Sequence, residues 1–178
     1  MIITISGTAG SGKDTVGKKV AKDLKYKFYS MGDLRGEMAL KRGMTIEEFN
    51  RLGEKEDWTD REVDNYQREL GQKSDNFVIV GRTSFHFIPH SVKVFLDVDV
   101  QTAAKRIMGD KRPDEKYKSI DEAIKKLEER QKSDNLRYKK YYNLDILDKK
   151  HYDVCIDTSE MKPEEVASAI LRYVKMKS

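Results

Sequence analysis

The stretch MIITISGTAGSGKDT, residues 1–15, decides the fold. Ile2, Ile3 and Ile5 form a short β-branched run, glycines crowd positions 7 to 12, and Val16, Val20, Ala21 and Leu24 then recur at helical spacing. The order is strand, loop, helix. Within it Gly7, Gly12 and Lys13 satisfy G-x-x-x-x-G-K, and the strand before and helix after turn that spacing into a hypothesis of phosphate binding. Gly7, Gly10 and Gly12 let the backbone curl so that successive N–H groups, through Thr8, Ala9 and Ser11, converge on phosphate oxygens, while the helix start adds partial positive charge. Lys13 would bridge the terminal phosphates. Asp14 stands where the pattern wants a hydroxyl, with Thr15 behind it.

Working outward, residues 26 to 30 read as a second strand, followed by a helix through Met38 to Arg42 that Gly43 closes. Thr45 and Glu48 have capping-box spacing for a helix carrying Phe49 and Leu52, and Val63, Tyr66 and Leu70 continue at helical intervals. NFVIVG (76–81) and VKVFLDV (92–98) are continuous apolar runs of the kind buried on both faces of a parallel sheet. A short helix from Thr102 to Met108 leads into GDKRPDEKYKS, a long charged helix spans about Ile120 to Tyr142, DVCID (153–157) makes a last strand, and Pro163 opens a terminal helix. Five strands alternating with helices predict a three-layer α/β fold with a parallel sheet. There is no internal repeat.

The 178 residues suit one domain, 1–178. Charged residues make up 37% and hydrophobic ones 38%, so a modest core must sit beneath a densely charged surface. The net charge of +4 suits an anionic ligand, but Lys and Arg are interleaved with Glu and Asp, so a nucleotide fits as well as a nucleic acid does. A single cysteine, Cys155, excludes an internal disulfide framework. The opening run lacks a basic leader, and no later stretch approaches the roughly 20 apolar residues of a membrane span. The expectation is a cytoplasmic, monomeric protein with no membrane or nucleic-acid partner.

Arginine placement narrows the chemistry, because a second phosphate-bearing substrate must be held in line with the first. Arg82 directly follows the third strand, at the carboxyl edge where open α/β sheets bind ligands. Arg106, Arg112, Arg130 and Arg137 fall around the GDKRPDEKYKS segment and the long helix, where a closing flap would bring cations over the phosphates and exclude water. Alternatively they are solvated charges on a helix surface. His86 and His90 share i, i+4 spacing, but Pro89 breaks the helix a zinc pair would need and no cysteine or acidic cluster completes a site. Tyr138, Tyr141 and Tyr142 read as packing residues; Trp58 serves either as a base platform or as cover for a helix seam.

The chain resembles the nucleoside monophosphate kinases, and most closely the archaeal-type cytidylate kinases. The segments that carry the resemblance are IITISGTAGSGKDT, SMGDLRGEMALKRGMTIEEFNRLGE, DREVDNYQ, the strand ending GR, VFLDVD, SDNLRYKKYYNLDILDKKHYD and the closing IDTS. The resemblance implies a five-stranded parallel sheet, a helical acceptor-binding insertion over 31–75 and a lid over 109–140. It also implies Mg²⁺-dependent transfer of the ATP γ-phosphate to CMP or dCMP. By position, Gly7 to Thr15 would hold the ATP phosphates, with Arg106 and Thr158 beside the adenine. Arg82 would grip the acceptor phosphate, Asp33, Arg35, Asp60, Arg61 and Asp64 would lie around the acceptor nucleotide, and Arg112, Arg130 and Arg137 would be lid cations. Lys13, Arg82 and Arg137 would carry catalysis, and Asp14 with Thr15 would meet the metal. Alternatives are a kinase for another nucleoside monophosphate or small metabolite, and a non-catalytic nucleotide- or nucleic-acid-binding module.

Three positions depart from that family pattern. Its arginine after strand two often stands one place later, where this chain has Gly36, and a helix turns about 100° per residue, so Arg35 points elsewhere than that arginine. Val80 precedes Gly81 where relatives place Asp or Glu to orient magnesium-bound water, and Asn135 replaces a usual lid arginine. Asp14 and Val80 suggest a connection: a carboxylate from the loop would supply the acidity missing from the strand. The competing reading has Asp14 facing solvent and stabilising the helix N-terminus electrostatically.

Overall fold

The computed structural model describes residues 1–109 and 117–177. Its strands are β1 (Ile2–Gly7), β2 (Lys27–Ser30), β3 (Phe77–Val80), β4 (Val92–Asp97) and β5 (Val154–Asp157). They form one sheet in the order β2-β3-β1-β4-β5, every pair parallel. Two strands that continue the chain in opposite lateral directions leave a crevice at the carboxyl edge beside β1, which is where the glycine-rich loop emerges.

Every residue of β1 and β3 is buried, which explains why these strands read as unbroken apolar runs. One sheet face carries Ile3, Ile5, Val78, Val80, Val94 and Leu96 against α1 (Lys13–Leu24) and α8 (Pro163–Lys177). On the other, Ile2, Phe77 and Ile79 meet α2 (Met31–Lys41), α3 (Ile46–Lys55) and α4 (Trp58–Lys73), all three of which lie between β2 and β3 in sequence. The remaining helices are α5 (Ser84–Phe87), α6 (Val100–Gly109) and α7 (Ile120–Tyr142). The three-layer α/β expectation is met.

The local signals that predicted these elements are visible as contacts. Thr45 and Glu48 make the reciprocal capping box at the start of α3; the cap of α2, where the Ser30 hydroxyl accepts the Asp33 N–H, was not read from the sequence. In α7, residues 123, 127, 134, 137 and 138 are buried and, at spacings of 4, 7, 3 and 1, fall on one stripe, which turns two charged residues, Asp134 and Arg137, inward with Ala123, Leu127 and Tyr138. The four-residue α5 was not foreseen; its helix ends at Phe87, two residues before Pro89. No described helix is long and apolar enough to cross a membrane.

Candidate active site

The glycine-rich loop is shaped by close approaches of backbone. Gly7 (φ 156°) runs so near β4 that a Cβ would collide with the Leu96 carbonyl oxygen, and at Gly10 (φ 81°) a Cβ would lie 2.7 Å from that of Ala103 in α6. Only glycine meets both the space and the dihedral demands at these points. The Thr8 N–H then bonds the Leu96 carbonyl at 3.1 Å and its own carbonyl accepts the Ser11 N–H at 3.3 Å, closing the turn.

A cleft runs from this loop to the helical wall between β2 and β3. Ala9 to Thr15 line it on one side, Asp33, Arg35, Asp60 and Asp64 on another, and Arg82, Arg106, Arg130, Arg137 and Thr158 also face it. The structure thus gathers into one cavity most residues singled out from sequence. Gly7 and Thr8 do not line it; they anchor the loop to β4. Arg61 does not line it either: its side chain is 67% exposed and pairs with Asp57 one helical turn away at 2.5 Å, because position 61 falls on the outer face of α4. Arg112 lies outside the described residues.

Beyond the loop, the cleft is walled by a buried ionic cluster. Asp134 takes Arg82 Nη1 at 2.5 Å on one oxygen and Arg137 Nη2 at 2.7 Å on the other. Asp60 receives Arg137 Nε at 3.1 Å and Arg35 Nη1 at 2.9 Å. Arg137 is only 1% exposed, so it is a fixed strut of the wall where a swinging lid cation was expected. Burial acts to raise the Asp134 carboxyl, but Arg82, Arg137 and Arg130 together outweigh it and hold it below the ordinary carboxylate range. At Asp60 burial prevails over Arg137 and Arg35, and its carboxyl is raised. Over the whole cleft, eight Lys and Arg side chains stand against six Asp and Glu among the described lining residues, a small excess of positive charge suited to an anion.

Arg35 is turned as its position predicts. Its Nε donates to Asn50 Oδ1 at 2.8 Å and its Nη1 to the Thr59 carbonyl at 3.0 Å, in addition to Asp60. It therefore ties α2 to α3 and α4. A second network places Arg82: Gln67 Nε2 and the Thr83 hydroxyl donate to Asp64 Oδ1 at 2.8 and 2.9 Å, and the Ser84 hydroxyl donates to Gln67 Oε1 at 2.6 Å. Tyr142 from α7 donates to the other Asp64 oxygen at 2.5 Å. Burial pushes the Asp64 carboxyl up to about 6 even so, against the hydrogen bonds from Tyr142 and Thr83.

On the loop side, Arg106 reaches from α6 to the Thr158 hydroxyl at 3.1 Å and carbonyl at 2.6 Å, clamping the turn after β5 beside the loop. Asp14, half-buried, accepts the Ser30 hydroxyl at 2.9 Å. Ser30 is the register partner of Val80 in the sheet, and Val80 is sealed into the core against Gly17. The Asp14 carboxylate thus stands at the cleft mouth beside the strand end that lacks an acidic residue, and does not turn out to solvent. Thr15 is exposed on the cleft rim.

Asp134, Asn50 and Ser30 were not singled out from sequence. Asp134 had a signal: it lies seven residues after Leu127 and three before Arg137, on the buried stripe of an otherwise charged helix. Trp58, offered two roles, lies edge-on to Phe49 at 6.0 Å with the Arg42 guanidinium 5.0 Å above it, covering a helix seam. Among the described residues no cluster of three or more His, Cys, Asp or Glu is placed to hold a metal ion by itself.

Known proteins share both fold and sequence. Shikimate kinase from Bacteroides thetaiotaomicron superposes with a TM-score of 0.69 over 98% of each chain, at 19% identity, which speaks to the P-loop kinase fold alone. Cytidylate kinase from Thermoplasma volcanium is 37% identical over 98% of this chain and 91% of its own. Cytidylate kinase from Natronomonas pharaonis is 36% identical over 96% of this chain and 87% of its own. The model of the cytidylate kinase-like family matches residues 2–160, and the chain belongs to that family.

Proposed function

We propose that this protein transfers the γ-phosphoryl group of ATP to the phosphate of CMP or dCMP. The observation that carries the reading is one cleft in which a phosphate-wrapping loop and Arg35, Arg82, Arg130 and Arg137 come together, three of these arginines held in place by ion pairs to Asp60 and Asp134. Two anionic groups can be brought together there. The names of the relatives supply the acceptor.

In this reading the acceptor's own phosphate oxygen attacks, and the protein contributes alignment, charge neutralisation and exclusion of water. Gly10 to Thr15 hold the donor phosphates through backbone N–H groups, Lys13 offsets charge at the transferred group, and Arg106 with Thr158 borders the adenine. Arg82 and Arg130 receive the acceptor phosphate, with Arg137 bracing Asp60 and Asp134 behind them, the helices of 31–75 around its nucleoside and the 109–140 segment as lid, its Asp134–Arg137 end docked on the wall. A magnesium ion fits this donor set, since it takes one or two carboxylates together with phosphates and waters. Asp14, braced by Ser30, would hold it beside Thr15; when bound it supplies Lewis-acid neutralisation of the phosphates. The single exposed cysteine suits a reducing cytoplasm.

The test is a panel of nucleoside monophosphates and shikimate offered with ATP, read by coupled ADP production. CMP and dCMP should lead; a different leader overturns the acceptor assignment. For the metal, Mn²⁺ binding to the nucleotide complex, read by electron paramagnetic resonance, should weaken in Asp14→Ala. An unchanged spectrum and affinity would remove Asp14 from the metal.

A further inference from the structure

Asn50 is on α3, one turn after Ile46, and both line the helical end of the cleft away from the glycine-rich loop. Its side-chain amide cannot rotate freely between its two orientations. Arg35 Nε donates to it at 2.8 Å, and a guanidinium has no acceptor, so the atom facing Arg35 is the oxygen and the NH₂ is turned the other way. Arg35 is itself immobilised: it is 9% exposed, bonded through Nη1 to the Thr59 carbonyl and Asp60, and its guanidinium carbon lies 4.9 Å from the centre of the Phe49 ring. Among the described residues no acceptor takes the two hydrogens of Asn50 Nδ2. Asn50 lines the cleft, and the only polar group its side chain has left to offer a ligand there is this NH₂, its orientation set by Arg35.

A fixed donor discriminates between ring edges. Cytosine offers N3 as an acceptor flanked by the O2 acceptor, whereas uracil carries N3–H at the same place. An amide N–H meeting N3 of cytosine makes a hydrogen bond; meeting N3–H of uracil, it leaves two donors opposed and unpaired, a difference of roughly 10- to 100-fold. We propose that Asn50 is a specificity-determining residue that selects a cytosine over a uracil ring through N3. This rests on the reading of the protein as a pyrimidine monophosphate kinase and extends it to a named base contact.

The test is the ratio of kcat/KM for CMP to that for UMP in the parent chain, Asn50→Asp and Asn50→Ala, together with calorimetric binding of CMP and UMP without ATP. Asn50→Asp keeps an oxygen for Arg35 but replaces the donor by an acceptor. It should lower kcat/KM for CMP about 10- to 100-fold, mainly through KM, and shift the ratio toward UMP. Asn50→Ala removes the donor and should narrow the ratio without reversing it; it also serves if the aspartate variant misfolds, with melting curves checking both. A parent that prefers CMP and variants that keep the same ratio overturn the inference and leave the kinase reading intact. A parent that treats CMP and UMP alike overturns it as well. A parent that phosphorylates neither defeats the functional reading, and the base contact falls with it.

Discussion

The two sides of the cleft are built by different means. The donor side is contiguous chain, residues 7–15, shaped by backbone: two glycine positions forced by close approach, a turn closed between Thr8 and Ser11, and a helix start. The acceptor side is an assembly of side chains drawn from positions 35, 60, 82, 134 and 137, joined by buried ion pairs. A backbone site needs few side chains to exist, while a side-chain site needs the fold to be finished first. That difference should separate the effects of mutation.

The strongest challenge to the acceptor side is Arg137→Ala, which leaves Asp60 and Asp134 buried without their shared partner. Urea unfolding should show a loss of about 3–5 kcal/mol, the usual penalty for stripping one member from a buried pair. A loss below about 1 kcal/mol would mean that the wall is held by something else. On the donor side, Lys13→Ala should lower turnover with ATP and CMP about 100- to 1000-fold while moving the unfolding midpoint far less than Arg137→Ala does. Near-normal turnover would defeat the phosphoryl-transfer mechanism.

Asp64 offers a smaller effect with a pH signature. Its folded pKa of about 6 lies above the ordinary value of 3.8, so the folded chain holds a proton that the unfolded chain releases. The ionised form is thereby penalised: nothing below about pH 4, growing through the window between the two values, and constant above about 6, at most on the order of 3 kcal/mol. Asp64→Asn should therefore be more stable relative to the parent at pH 7 than at pH 4, with the difference opening between those limits. A pH-independent difference would mean that Asp64 is ionised at its ordinary value. The smallest effect is expected at Arg61→Ala, whose exposed pair with Asp57 should be worth under about 0.5 kcal/mol. The KM for CMP should be unaffected; a clear rise would return Arg61 to the acceptor site.

How far the sequence could be read follows the same divide. The loop was legible because its spacing is local and its glycines answer a steric demand that any chain would meet in the same way. Arg82 was legible because it follows a strand whose edge is the binding edge by topology. Arg61 misled because charge was visible and helix face was not: Asp60 and Asp64 turn inward while Arg61, between them, turns out. Arg137 was foreseen in the cleft but as a moving cation. Its immobility depends on Asp60 and Asp134, and Asp60 is 77 residues away.

The sequence alone determined the alternation of strands and helices, the phosphate loop and the capping box of α3, since each depends on residues within about one turn or one strand of each other. Only the tertiary structure decided which charges are buried together, that Asp14 leans on Ser30 beside Val80, and that Arg35 fixes the amide of Asn50. Apart from the Arg137–Asp134 pair within one helix, these are contacts between residues 15 to 77 positions apart, and their energies arise from burial and pairing that exist only after the sheet has closed on its helices.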